Sequence, residues 1–440
     1  MQATQAGTAR RPDVGELQAD VLVCGGGVAG TMAAVAAARH GARVVLLERY
    51  GFLGGNATAG AVAQFNSWQT ANGRPVVAGL AQEAVERLRR YGAAGEHETF
   101  VMSTGHRMDR VEYAPEVLKL VLDDMVRDAA VQPLLHASLL DVSRAGRRIE
   151  AVRVLTKGGL LRIRPGVVVD ASGDMDLMQQ AGAGFLSLDE GEALQPATMM
   201  FRFGPIDFAR FDALSAAEIA ALARRGYEDG ALARAALHVA RNPCSQDGWF
   251  NVSRLAIDAT DPLALGRAEM EGRRQAWNAA AFLQAQVPGC ERGRLVAFGT
   301  QVGVRETRRV AGRHVLTAQD LLQPVQFDDA IAAGAYPIDI HPAAGGELEY
   351  TSLGDDHAYQ IPFRSLCPDG LDNALVAGRG VSATHQALAA IRVMTISMAV
   401  GQAAGTAAAM AAQAPRGATV ASVDMPALRR VLQARGALLA

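Results

Sequence analysis

A chain of 440 residues exceeds what one hydrophobic core usually organises, so two domains, successive or intertwined, are expected. Half of the residues are hydrophobic, a fifth are charged and the formal net charge is −2, which leaves no bulk attraction to nucleic acid or to an anionic membrane. The four cysteines, Cys24, Cys244, Cys290 and Cys367, lie far apart without a CxxC. That argues against a redox dithiol, an iron–sulfur cluster or a zinc site; no metal is expected, and the compartment is expected to be reducing and cytoplasmic.

Residues 1–18 are polar and Gly/Ala-rich, and Arg10-Arg11 has no apolar run after it, so a disordered tail rather than an export signal is expected. The next segment is the most informative one. An apolar run, Val21-Leu22-Val23-Cys24, leads into Gly25-Gly26-Gly27-Val28-Ala29-Gly30 and an Ala-rich helical stretch; a second apolar run, Val44 to Leu47, then ends at Glu48. This is one βαβ unit with the features of an adenine-dinucleotide site. Gly25 permits the tight strand-to-helix turn, Gly27 lets the backbone approach a pyrophosphate, and Gly30 lets helix and sheet pack closely. Glu48 stands where a carboxylate accepts hydrogen bonds from a ribose hydroxyl and would repel a 2′-phosphate.

Gly51 to Gly60 is turn-like; Val76–Tyr91 and Pro115–Ala129 have the spacing of amphipathic helices. Leu134–Val142, Arg148–Thr156 and Leu160–Val169, separated by Gly-containing turns, predict a small antiparallel meander whose last strand runs into Asp170-Ala171-Ser172-Gly173-Asp174. From Phe185 to Asp369 helical patterns (Ser215–Arg241, Leu263–Gln286) alternate with strand-like ones (Thr198–Phe203, Leu295–Val302). Asn373–Gly378 reads as a strand. The uncharged stretch Val393–Ala414, with Gly401 and Gly405 in a GxxxG spacing, imitates a membrane span but is poor in large apolar residues, so a helix buried in an α/β core is expected.

The expected fold is therefore α/β. A Rossmann-like domain with a parallel sheet and a small antiparallel meander is assembled from residues 19–62, 115–184 and 370–415, with a helical insert at 63–114. Residues 185–369 are expected to form an α+β substrate domain, and 416–440 a C-terminal helix or tail.

Four segments together resemble the FAD-dependent oxidoreductases of the glutathione-reductase-like fold: GGGVAG with Glu48, LERYGFLGGNATAG, VVVDASGDMDL and NALVAGRGVSATHQALAAIRVMTISMAVGQAAGTAAAMAA. The match is most similar to the flavoprotein of fumarate reductase and to the flavin part of heterodisulfide reductase A, and it covers nearly the whole chain after the tail. The resemblance implies FAD as the cofactor. It implies Gly25, Gly27, Val28, Ala29 and Gly30 at the pyrophosphate, Glu48 and Arg49 at the ribose end, and Gly54-Gly55-Asn56 beside the flavin. It further places Gly173 and Asp174 near the cofactor, Gly378-Arg379 at the pyrophosphate and ribityl, and a helix beginning near Arg392 with its N-terminus toward the flavin pyrimidine. Reduced flavin is negative around N1 and O2, which such a helix end and an arginine stabilise. Ala171-Ser172-Gly173 replaces the usual Ala-Thr-Gly, and Gly378-Arg379 replaces a frequent Gly-Asp. No second GxGxxG and no cysteine pair is present, so the NADPH domain and dithiol chemistry of the disulfide reductases are not expected.

Flavin chemistry requires a substrate C–H at N5, a group for the partner proton and often a cation for an anionic substrate. His341, in the extended segment Tyr336–Pro342 that also carries Asp339, is the leading acid/base candidate. Arg305 and Arg364 are candidates for holding a carboxylate, each with a structural ion pair as the competing reading. His385 is balanced between a cofactor-side role and proton transfer, Tyr359 leans toward packing, and Asn66 and Trp68 are candidates for the pocket border, with plain core as the competing reading for Trp68. The expected activity is dehydrogenation or oxidation of a C–OH, C–N or CH–CH centre in a small polar, carboxylate-bearing molecule. The competing readings are reduction of an activated C=C bond and a flavin-free binding module. A small-molecule substrate and an electron acceptor of unspecified kind are the expected partners, without nucleic acid or a membrane span; self-association is compatible with the sequence.

Overall fold

The computed structural model describes residues 13–101, 105, 107–343, 349–415 and 417–439. Its central feature is a seven-stranded mixed sheet. Asp13–Cys24 and Gly159–Asp170 form the parallel middle pair, in register from Val21 opposite Val167 to Cys24 opposite Asp170. Val44–Leu47 and then Gln132–Leu134 extend the sheet on one side, both parallel. On the other side Gly159–Asp170 is shared. Its first residues pair antiparallel with Arg148–Thr156, which leads to Ser138–Ala145, and its last three pair parallel with Ala374–Val376.

The continuous apolar runs follow from burial on both faces. Val21, Val23, Val167 and Val169 point into one core with the helices Val28–Arg39 and Met394–Gln413, whereas Leu22, Cys24 and Val168 point into another with the meander and Met175–Met178. The two helices lie in close contact because Gly401 and Gly405 carry no side chain. A Cβ at Gly401 would stand 2.1 Å from the Ala29 carbonyl oxygen, and one at Gly405 1.9 Å from that of Ala33. The GxxxG spacing is thus an intramolecular helix contact. Among the described residues no single helix is long and apolar enough to cross a membrane; His385–Ile391 and Met394–Gln413 pass that test only as a pair, bent by 93°.

A second core gathers residues from Ala197 to Val304 around the antiparallel sheet Val239–Arg241, Gly248–Phe250, Phe201–Gly204 and Arg294–Phe298, backed by the helix Pro262–Gln286.

The structure departs from expectation at several places. The first strand begins at Asp13, inside the stretch expected to be tail, because its backbone pairs with Gly159–Asp170; residues 1–12, with Arg10-Arg11, lie outside the described residues. The 63–114 insert is not simply helical: Gln64–Asn66, Arg107–Glu112 and Glu98–Val101 form a three-stranded sheet beside the helix Leu80–Arg90. That helix starts after Gly79, whose φ of +63° breaks the pattern read from Val76. The helix expected from Ser215 to Arg241 ends at Glu228, just before Gly230 at φ +71°. Residues from Leu316 to Cys367 pack in the first core rather than in the core of 197–304, so the 185–369 unit is divided between the two.

Candidate active site

The strand Asp13–Cys24 stops at Gly25, whose φ of +98° and whose would-be Cβ, 2.4 Å from the Ala171 carbonyl oxygen, both require glycine. A Cβ at Gly30 would lie 1.8 Å from the Gly25 carbonyl oxygen, so Gly30 brings helix to turn. At Gly27 the nearest heavy atom to a Cβ is Gly55 Cα at 4.0 Å, which leaves open space over the first turn of Val28–Arg39. No side chain caps that helix end. Its N–H groups and dipole are therefore presented to whatever occupies the space.

That space belongs to a cavity of about 570 Å³, in the range of small-molecule sites. Gly25, Gly27, Val28 and Ala29 line it together with Glu48, Arg49, Gly54, Gly55, Asn56, Gly173 and Asp174. Gly378, Arg379 and Arg392 complete the wall together with Met394 and Ser397 from the first turn of Met394–Gln413, another helix end without a side-chain cap. Gly30 is the exception among the residues expected at the cofactor: it packs beneath the turn and does not line the cavity. That helix begins at Met394; Arg392 ends the short helix His385–Ile391 before the bend.

Glu48 is buried, and its carboxylate accepts from the backbone N–H of Gly26 at 2.8 Å and of Tyr50 at 2.9 Å. Arg379 donates through Nη2 to Asp174 at 2.9 Å, and Thr307 Oγ1 donates to the same carboxylate oxygen at 2.8 Å. Burial works to raise the Asp174 pKa, but the Arg379 charge and these hydrogen bonds outweigh it and hold the carboxyl below its ordinary range. Arg379 Nη1 and Arg392 Nε are buried without a partner among the described residues, which fits a site built to receive acceptor groups.

A smaller cavity of about 160 Å³ shares Asn56, Val304, Arg379, Arg392 and Met394 with the first. Its polar wall holds Arg305, Asp339, His341 and Tyr336, with Asn66, Thr198 and Asn251. Asp339 and His341 stand two apart at the end of the strand Ile338–Ile340, so both side chains point to the same side. His341 Nε2 lies 3.4 Å from Asp339 Oδ2, and the Tyr336 hydroxyl donates to the same oxygen at 3.0 Å. Gln195 joins the parts: its Oε1 accepts from Arg392 Nη2 at 3.2 Å and from the His341 N–H at 3.4 Å, and its own N–H donates to Glu306.

Burial, then the charge of Arg305, pushes His341 down to about 3 against the pull of Asp339, so the imidazole is neutral at neutral pH. Burial alone would raise Asp339, but its hydrogen bond to His341, the charge of Arg392 and the hydrogen bond from Tyr336 hold it below the ordinary carboxylate range, and it is ionised. Arg305 donates to Thr198 Oγ1 at 2.8 Å and to the Pro196 carbonyl, and among the described residues it has no ion pair. Burial, then the charges of Arg392 and Arg234, pushes it down to about 9.

Three expected catalytic residues lie elsewhere. The side chain of Arg364 is 53% exposed and its guanidinium is paired with Asp329 at 2.9 Å, outside both cavities, because the strand Tyr359–Pro362 gives way to a 3₁₀ turn at Phe363 and strand alternation no longer applies. Tyr359 is packed in the first core, its ring against Gly334. His385 is buried, bonded through Nδ1 to Glu306 at 2.9 Å, and lines neither cavity; it braces the segment that carries Arg305. Trp68 is core, with Nε1 donating to Phe65 O, while Asn66 reaches the smaller cavity.

Sequence patterns gave no sign of Gln195, Asn251, Glu269 or Gln301. Gln301 Oε1 accepts from Arg49 Nη2 at 2.8 Å and from the Tyr50 hydroxyl, linking positions more than 250 apart in the chain. With Pro262, Leu265 and Glu269, it closes the larger cavity from the second core's side.

A profile of a family described as FAD dependent oxidoreductase matches residues 20–432. No curated protein matches the chain significantly. Similar solved structures include a geranylgeranyl bacteriochlorophyll reductase-like protein from Thermoplasma acidophilum, 11% identical over 96% of this chain and 84% of that one, TM-score 0.48. p-Nitrophenol 4-monooxygenase from Pseudomonas putida is 12% identical over 91% and 80%, TM-score 0.48. L-Amino acid deaminase from Proteus vulgaris is 9% identical over 91% and 94%, TM-score 0.45. Likeness this distant carries no argument about chemistry.

Proposed function

On the premise that this chain belongs to the FAD dependent oxidoreductase family, we propose that it is a dehydrogenase or oxidase of a small, polar, carboxylate-bearing substrate, acting at a C–OH, C–N or CH–CH centre. The residues present fit FAD. Gly25, Gly27, Val28 and Ala29 would hold the pyrophosphate over the uncapped helix end, and Glu48 the ribose. Gly54, Gly55, Asn56, Gly173, Asp174, Gly378, Arg379 and Arg392 would surround the rest. Bound there, FAD supplies a two-electron acceptor for a substrate hydride.

The protein's own part is orientation and proton transfer. Arg305, steadied by Thr198 and the Pro196 carbonyl, holds the carboxylate. His341 takes the proton, and Asp339 and Gln195 hold its ring and backbone. Val62, Met200, Val304 and Met394 supply apolar walls that limit water around these charges. The single observation that carries this reading is the juxtaposition, in one cavity of about 160 Å³, of Arg305, which has no ion pair among the described residues, and His341, whose Nε2 lies 3.4 Å from Asp339 Oδ2. Run in reverse, the same residues suit reduction of an activated C=C bond.

Anaerobic mixing with small carboxylate donors is the test. Bleaching of the flavin band supports dehydrogenation. Inertness toward every donor, with reoxidation of dithionite-reduced protein by an enoate, assigns the reductase direction instead.

A further inference from the structure

We propose that the smaller cavity is built for a short hydroxycarboxylate, an anion bearing a neutral hydrogen-bond donor, in preference to an amino acid or an unsubstituted carboxylate. This deepens the dehydrogenase reading and rests on it only in treating the ligand as the substrate.

Size comes first. The cavity, about 160 Å³, is less than a third of the larger one at about 570 Å³, so the ligand is small and its polar groups lie close together. Charge comes second. Among the described residues lining the cavity, three arginines, Arg305, Arg379 and Arg392, face one carboxylate, Asp339. Arg379 is committed to Asp174 and Arg392 Nη2 stands 3.9 Å from Asp339 Oδ2, while Arg305 has no ion pair among the described residues. Arg234 and Arg254, also without an ion pair among the described residues, stand near enough for their charges to act on Arg305. Such surroundings favour a net anion. An ammonium group would add to the excess, and a zwitterion would leave it uncompensated.

Hydrogen-bond supply comes third. Asp339 is 3% exposed; Oδ2 is occupied by His341 and Tyr336, whereas Oδ1 is buried without a partner among the described residues. An ionised carboxylate oxygen only accepts, so Oδ1 requires a donor. Asn66 Oδ1 and Asn251 Oδ1, in the same wall, are likewise unpartnered. A hydroxyl meets this demand without adding positive charge, and a plain carboxylate leaves it unmet.

The experiment titrates anaerobic, FAD-loaded protein with lactate, propionate and alanine, reading affinity by calorimetry and the flavin band in parallel. Lactate is expected to bind at least tenfold more tightly than propionate or alanine. Asp339→Asn should abolish most of that preference, while Arg305→Gln should weaken lactate and propionate alike. Should Asp339→Asn fail to fold, the wild-type ranking decides by itself. Equal affinity for lactate and propionate, tighter binding of alanine, or no binding of any of the three overturns the proposal. Preferential lactate binding without bleaching sustains the ligand class and removes the dehydrogenase reading. Bleaching by alanine alone keeps that reading and removes the ligand class.

Discussion

Gly27 and Gly30 lie three positions apart and are glycine for different reasons. Gly27→Ala adds a methyl group to open cavity, so the apoprotein should keep its thermal midpoint while flavin retained after gel filtration falls at least tenfold. Gly30→Ala drives a methyl group into the Gly25 carbonyl and should lower stability by about 1–3 kcal/mol as well as flavin content. The motif was legible because its spacing carries geometry; that Glu48 also accepts two backbone N–H groups was not, since those partners appear only when the turn is folded. His341 makes the pH prediction. Its folded pKa is depressed to about 3, whereas an unfolded histidine titrates near ~6.5. Its contribution to stability is therefore fully present above that unfolded value and is lost as pH falls toward the folded one. For the same reason the rate of flavin reduction should show no acid limb from this residue between about pH 5 and 8. Arg305→Gln removes one of the charges that hold the imidazole down, so an acid limb should move upward in stopped-flow pH profiles of that variant.

At the scale of elements, the Val28–Arg39 and Met394–Gln413 pair sets the cavity, because one helix end faces it from each partner. Gly405→Ala places a methyl group 1.9 Å from the Ala33 carbonyl oxygen, a backbone atom that cannot yield as a side chain would. Thermal denaturation should show a loss of about 1–3 kcal/mol, and flavin retention should fall although residue 405 lines neither cavity. These two helices, the first βαβ unit and the meander were readable from long or strictly alternating patterns. The sheet built from Gln64–Asn66, Glu98–Val101 and Arg107–Glu112 was not, since its strands are short, charged and partly exposed. Arg364 went astray at this scale too. Alternation placed it on a strand face, but the chain turns at Phe363 and delivers it to Asp329 near the surface.

Across the whole molecule, the larger cavity is closed by parts of the chain with separate cores: the glycine turns come from one, and Ala259, Pro262 and Leu265 come with the other. No local pattern announces such a meeting, which is why Glu269 and Gln301 escaped a reading of residues in order. Because bound cofactor would join both cores, FAD in hundredfold excess over its dissociation constant should stabilise the apoprotein by about 2.7 kcal/mol, visible as a higher thermal midpoint. The account as a whole meets its most direct test in anaerobic stopped-flow absorbance of FAD-loaded protein and its His341→Asn variant, mixed with the best carboxylate donor. Equal flavin occupancy with reduction at least about 100-fold slower in the variant, the lower end of what a general base contributes, is the predicted result. Reduction of the variant at the wild-type rate would contradict the account.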